Sequence, residues 1–273
     1  MLYLTALILS FISCIGNNGP KVNMDQAPQP VIVTDTPIYP LDSMPGPDKS
    51  IEQFTVDYIM GHFDPATHPD FEEVDIKYAD REGLFLRKDT YEAFRKMYNH
   101  AASDGIRLQI RSATRNFNYQ KGIWEAKWNG TKLIEGGENL AETTPDPKER
   151  ALKILRYSSM PGTSRHHWGT DIDLNNFENS WFEKGDGLDI YNWLKKHAAE
   201  YGFCQTYTAG REHGYLEERW HWTYMPVSSK LTALAKQELK NEMIKGFSGS
   251  EAAVMLDVVK YYVLAINQEC MGE

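Results

Sequence analysis

Two short stretches concentrate the chemistry of this chain: Ser164-Arg165-His166-His167-Trp168-Gly169-Thr170-Asp171-Ile172-Asp173 and, further along, Glu218-Arg219-Trp220-His221. Between them they hold two histidines and an aspartate able to bind a metal, and a glutamate close to the last histidine. That is the minimum kit of a zinc hydrolase. Catalytic zinc takes three protein ligands from His and Asp/Glu and keeps a fourth position for water, whose pKa falls from about 15.7 to roughly 7. A neighbouring glutamate then accepts the proton as that water attacks a carbonyl.

These side chains need elements that aim them at one point. In Thr170-Asp171-Ile172-Asp173-Leu174 polar and apolar residues alternate with period two, so Asp171 and Asp173 share one strand face while Ile172 and Leu174 face a core. His166 lies before that strand, beyond a turn that Gly169 allows. Trp220-His221-Trp222-Thr223-Tyr224 reads as an aromatic-rich strand in which His221 projects away from the two tryptophans. On a regular strand Glu218 would face away from His221, so a turn or bulge around Arg219 is expected to bring the carboxylate back.

With Ser-x-His-x-x-Gly-x-x-x-Asp followed by Glu-x-Trp-His, the chain resembles the VanY-type D-alanyl-D-alanine carboxypeptidase family. Its members include zinc D,D-carboxypeptidases, D,D-dipeptidases, L,D-carboxypeptidases and peptidoglycan endopeptidases. The resemblance implies that His166, Asp173 and His221 are ligands of one zinc ion and that Glu218 is the catalytic base. Upstream, Ile110-Arg111-Ser112-Ala113-Thr114-Arg115-Asn116-Phe117-Asn118-Tyr119-Gln120 is similar to the family's Ser-x-Tyr-Arg-x-x-x-x-Gln segment. It implies that Arg115 stabilises the oxyanion or the substrate carbonyl, with Gln120 and Ser164 contacting the peptide. The chain departs from the pattern at Thr114, where Tyr is usual, and at Asp171, where Ala is frequent. Asp171 is either a hydrogen-bond partner of a zinc-bound histidine or a surface charge.

Other residues carry plainer readings. His62, His68, His100 and His197 read as surface or packed residues. His167 reads as a non-ligand because neighbours in an extended segment face opposite ways; His213 is ambiguous. Trp168, Trp220 and Trp222 read as core and cleft walls.

A chain of 273 residues with 41% hydrophobic content is long and apolar enough for a globular catalytic domain. Its net charge of −9 argues against nucleic acid as a partner, since phosphate binding wants a basic surface. Leu2 to Ile12 is almost wholly apolar and ends at Ser13-Cys14, too short for a mature membrane span and suited to a signal-peptide core. Phe11-Ile12-Ser13-Cys14 resembles a bacterial lipobox, which implies an exported lipoprotein anchored at Cys14 and facing the periplasm; an ordinary signal peptide cleaved nearby and an uncleaved anchor are the alternatives, and each exports the domain. Residues 15–50, polar and rich in proline, are expected to form an extended, disordered tether. In that oxidising compartment Cys204 and Cys270 either pair or remain two buried thiols.

The remainder predicts an α+β domain over residues 51–230: a small antiparallel sheet carrying the zinc site, flanked by helices, with a C-terminal helical extension over 231–273. Helices are expected at Asp89–Ala102 and Gly187–Tyr201, with strands at Arg107–Arg111 and Phe203–Tyr207. Trp124 and Trp128 sit four apart on a helical face, and Ala151–Leu155 suggests a short helix. Between these helices, residues 129–147 form an insertion near the cleft mouth that either shapes substrate choice or is decoration. Leu231–Lys245 and Ser250–Gln268 look helical, packed on the domain in a monomer, with a dimer interface as the alternative for the second.

These readings converge on a zinc peptidase acting on peptidoglycan stem peptides, in the first place a D,D-carboxypeptidase. Alternatives are an endopeptidase or L,D-carboxypeptidase with the same metal centre, and a non-catalytic zinc-containing wall-binding module.

Overall fold

The computed structural model describes residues 54–272. The expected signal peptide and lipobox (1–14) and the tether (15–50) lie outside the described residues. Among those described, no helix is long and apolar enough to cross a membrane.

A short helix α1 (Val56–Ile59) leads to strands β1 (Phe71–Glu73) and β2 (Phe85–Arg87), which pair antiparallel as a two-stranded sheet. Helix α2 (Lys88–Ser103) follows, burying Tyr91, Phe94, Met97 and Ala101 at helical spacing. Next come β3 (Ile110–Ser112), α3 (Phe117–Trp128), α4 (Leu140–Thr143) and α5 (Pro147–Ile154). Asn116 caps α3 by accepting from the Tyr119 amide, and Asp146 caps α5, which has Pro147 in its first turn. Then follow β4 (Asp171–Leu174), α6 (Gly185–His197), β5 (Phe203–Gln205), β6 (His221–Tyr224), α7 (Met225–Glu238) and α8 (Ala252–Met255).

The main sheet has the strand order β3-β4-β6-β5, antiparallel throughout. Ile172, Leu174 and Trp222 turn to one face, where they pack with Phe94 and Met97 of α2 and Leu194 of α6. The period-two alternation leaves Asp171, Asp173 and His221 on the opposite face. That face is buried as well, so these polar groups sit in the interior. A second core joins Trp124, Trp128 and Trp168 to Leu231, Ala235 and Leu239 of α7 and to Val258, Val259 and Val263. Trp124 and Trp128 stack with centroids 6.1 Å apart, as their spacing on one helix predicts.

The carboxyl end differs from its expected two long helices. The first starts earlier, at Met225 with Pro226 in the opening turn, and stops at Glu238. The stretch from Ser250 to Gln268 is broken into α8, a turn of wide helix at Val259–Val263 and a tight turn at Gln268–Cys270. The break falls at Asp257, whose φ of 46° no right-handed helix accepts. Asn241 holds it, donating to Asp257 Oδ1 at 2.7 Å and accepting from the Val259 amide at 2.9 Å. Cys204 on β5 and Cys270 form a disulfide that ties this tail to the edge of the sheet.

Candidate metal centre

Two stretches of chain, each a turn running into a strand, deliver the predicted metal ligands and base. His166 sits in a 3-10 turn, Arg165–Trp168, that ends at Gly169 with φ 76°. A Cβ at Gly169 would fall 2.4 Å from the Phe71 ring, so only glycine allows this turn into β4. Asp173 lies on β4, directly opposite His221 on β6 in the strand register. A reverse turn through Arg219 and Trp220 returns Glu218 to the same side, closed by the His221 amide donating to the Glu218 carbonyl at 3.3 Å. The turn expected around Arg219 is present.

His166 Nε2 stands 3.3 Å from Asp173 Oδ2, and His221 Nδ1 stands 3.2 Å from Asp173 Oδ1. One ligand atom from each of the three residues lies within 4.8 Å of the others. A tetrahedron with bonds of about 2.0–2.1 Å has edges of about 3.3 Å, which these separations match. His166 Nε2 and Asp173 Oδ1 are buried and make no hydrogen bond among the described residues, although buried polar atoms nearly always find a partner. Imidazole and carboxylate donors in this arrangement suit zinc. Glu218 Oε2 lies 3.3 Å from His221 Nδ1, beside the same point.

The outer nitrogens of both rings are held. His166 Nδ1 lies 2.8 Å from the Ala113 carbonyl, and His221 Nε2 lies 2.9 Å from Asp171 Oδ1. In each case the N–H donates outward and leaves the other nitrogen's lone pair facing the metal point. Asp171 is therefore a hydrogen-bond partner of a candidate ligand and no surface charge: it is fully buried, accepts from Thr170 and Thr223 hydroxyls at 2.7 and 2.8 Å, and pairs with Arg165 at 3.3 Å.

Burial governs the ionisation of the whole group. It lowers the pKa of His166, with the Arg115 cation adding to the effect, and so favours the neutral ring that ligation needs. It raises the carboxyl of Glu218 above its ordinary value against the pull of His221. Burial also opposes charge on His221, but the buried carboxylates of Asp171, Asp173 and Glu218 around it outweigh burial and hold that ring's pKa well above normal. Asp171 and Asp173 would likewise be raised by burial, yet Arg165 for the first and His166 for the second keep them well below the carboxylate range. Three buried carboxylates around one imidazole demand positive charge at that point.

The centre opens on a cavity of about 610 Å³. Arg115 lines it, its amide donating to the His166 carbonyl at 3.0 Å; its Nε is buried without a hydrogen-bond partner, and its guanidinium has no ion pair among the described residues. Ser164 lines it too, with a buried hydroxyl that has no hydrogen-bond partner among the described residues. Gln120 is placed differently. It is buried on α3 behind the wall, donating from Nε2 to the Ser159 carbonyl at 2.8 Å, and Ser159 rather than Gln120 faces the cavity.

Several wall residues had no signal in spacing or motif. The Tyr207 ring packs 4.7 Å from the His221 ring, and Tyr215 stands beside it at 5.0 Å. Lys127, buried, bonds Glu135 of the insertion and Ser158, each at 2.9 Å. With Lys132, Glu135 and Gly136 in the wall, the insertion borders the cavity, as its connectivity suggested. His167 is no ligand: its Nδ1 meets the Arg115 carbonyl, and its Nε2 accepts from the Gly162 amide at 3.0 Å.

The model of the VanY family, D-alanyl-D-alanine carboxypeptidase, matches residues 83–227. The provisionally assigned carboxypeptidase YodJ of Bacillus subtilis is 23% identical over 194 residues, covering 68% of this chain and 63% of that protein. An uncharacterised Haemophilus influenzae protein is 31% identical over 78 residues, covering 28% of this chain and 53% of its own. The chain thus spans less than two thirds of the length of these curated relatives. Among solved structures, the vancomycin-resistance D,D-pentapeptidase VanY in complex with Zn(II) is 18% identical, with a TM-score of 0.44, covering 68% of this chain and 90% of that one. The LD-carboxypeptidase LdcB is 19% identical, with a TM-score of 0.46 and coverage of 69% and 79%. Since the family match takes in more than half of the 273 residues, the chain belongs to the VanY family of D-alanyl-D-alanine carboxypeptidases.

Proposed function

We propose that this protein is a zinc-dependent peptidase of peptidoglycan stem peptides, acting as a D-alanyl-D-alanine carboxypeptidase. The observation that carries the reading is Glu218 Oε2 at 3.3 Å from His221 Nδ1, which sets an acceptor for a proton beside the converging ligand atoms of His166, Asp173 and His221. Zinc bound there supplies a Lewis-acid charge that polarises a carbonyl and acidifies water.

The chain's own groups do the remaining work. Glu218 takes the proton of the attacking water and hands it to the leaving amine; burial, by raising its pKa, makes its carboxylate a stronger base. The Arg115 guanidinium, which makes no ion pair among the described residues, compensates the charge that grows on the carbonyl oxygen. The Ser164 hydroxyl offers a hydrogen bond to the peptide, and Gln120 fixes the Ser159 segment of the wall. Asp171 and the Ala113 carbonyl keep the two imidazoles aimed. Export and anchoring through a lipidated Cys14 belong to the same proposal, because they bring the domain within reach of the wall.

The test is mass spectrometry of purified muropeptides after incubation with the zinc-loaded protein. Loss of one terminal D-alanine from pentapeptides supports the reading. Cleavage at the L,D bond or within cross-links reassigns the bond cut, and intact muropeptides refute the peptidase.

A further inference from the structure

On the helix-covered side of the main sheet, away from the cavity, a second group of imidazoles and carboxylates meets. His100 lies in the last turn of α2 with Asp104 just beyond it; His197 closes α6, and Glu200 follows in the 3-10 turn Ala198–Tyr201. The rings of His100 and His197 face each other at 4.9 Å and 74°. One ligand atom each from His100, His197 and Glu200 falls within 4.8 Å of the others.

The surroundings orient these donors. His100 Nδ1 is engaged with the Tyr201 hydroxyl at 2.8 Å, which leaves Nε2 as its outward donor, 3.4 Å from Asp104 Oδ2. His197 Nδ1 is 2.9 Å from Glu200 Oε1. Trp193 packs beside both rings, at 5.3 Å from His100 and 4.9 Å from His197, and its indole N–H donates to Asp104 at 2.8 Å. A ligating histidine whose second nitrogen is hydrogen-bonded, set against an apolar wall, is the arrangement metal sites use.

We propose that His100, His197 and Glu200, with Asp104 alongside, form a second site for a zinc-class divalent cation that clamps α2 to α6. The residues occur as two pairs, one on each helical segment, spaced four and three apart, so each pair shares a helical face. Two imidazoles select a transition metal over magnesium or calcium, which want oxygen alone. The site lies outside the cavity walls, so its role is structural. It braces the helix that leads to β3 and the helix that leads to β5, and through those strands the sheet that holds the catalytic residues. This inference does not rest on the peptidase reading.

The test is the zinc content of the full chain, stripped of metal, reloaded and desalted, in the wild type and in His100→Ala/His197→Ala. The wild type is expected to retain one zinc per chain more than the double variant. A milder variant, Glu200→Gln, changes an exposed side chain and is expected to weaken the second zinc at least tenfold in a chelator competition while the fold stays intact. Equal zinc content in the wild type and the double variant, or unchanged zinc affinity in Glu200→Gln, overturns the proposal and leaves the cluster a hydrogen-bonded contact between helices.

Discussion

His221 Nε2 lies 2.9 Å from Asp171 Oδ1, two strand positions away from the carboxylate that faces the same ring's other nitrogen. One imidazole is thereby held between Asp171 on one side and Asp173 with Glu218 on the other. Replacing Asp171 by Asn removes the charge that orients and enriches this ligand, and zinc affinity should fall about 10–100-fold in a chelator competition. Arg165, 1% exposed, loses its buried partner in the same variant, so denaturant unfolding should show a loss of about 3–5 kcal/mol. Unchanged zinc affinity would mean that Asp171 serves Arg165 alone.

Glu218→Gln tests the base separately from the metal. The amide keeps shape and hydrogen-bonding reach but accepts no proton, so the variant should hold the same zinc as the wild type while turnover drops by about 100-fold or more. Zinc per chain and the rate of D-alanine release are the two measurements. Full turnover would remove Glu218 from the mechanism.

The Cys204–Cys270 bridge closes a loop with a sequence separation of 66 that contains Glu218 and His221. Cross-linking a loop of that length restricts the unfolded chain by about 4 kcal/mol in the entropy model, and measured effects run about 2–4 kcal/mol. Cys204→Ser/Cys270→Ser should lower stability within that range in denaturant titrations. Because Asn267 also links the tail to β5, donating to the Gln205 carbonyl at 3.2 Å, the fold and zinc content should persist.

His167 gives the metal-free chain a specific acid sensitivity. Burial drives its pKa from 6.5 to about 3. Above pH 6.5 the ring is neutral both folded and unfolded, and its packing counts in full. Below that, the unfolded chain takes up a proton that the folded chain refuses until about pH 3, so stability falls by up to about 1.4 kcal/mol per pH unit. His167→Gln, which does not titrate, should be less stable at pH 7 and should lose less on going to pH 4.5. Parallel pH dependences of the two proteins would contradict this account of the ring.

The legible part of the site was the part written as local periodicity and fixed spacing. Alternation in Thr170–Leu174 set the aspartates against the apolar residues, Gly169 marked the turn, and the misfit of Glu218 with a regular strand pointed to the reverse turn at Arg219. The partnership of Asp171 with His221 was one of two open readings, because strand alternation places both on one face without saying which groups touch. Gln120 shows the limit of motif reasoning: a position five residues after Arg115 in α3 does not reveal whether the amide faces the cavity or the Ser159 carbonyl behind it. Tyr207 and Tyr215 reach the cavity from loops and Lys127 from the end of α3, all through tertiary packing that leaves no periodic trace. In the C-terminal segment, apolar spacing suited a continuous helix, but the Asn241 side chain stabilises a left-handed Asp257 and breaks it.

Diffraction data collected on either side of the zinc absorption edge, from crystals of the zinc-loaded protein, address the metal centre itself. The account predicts an anomalous peak bonded to His166 Nε2, an oxygen of Asp173 and His221 Nδ1, with Glu218 beside the ion but outside its ligand set. A zinc-replete crystal without a peak among these three side chains would contradict it.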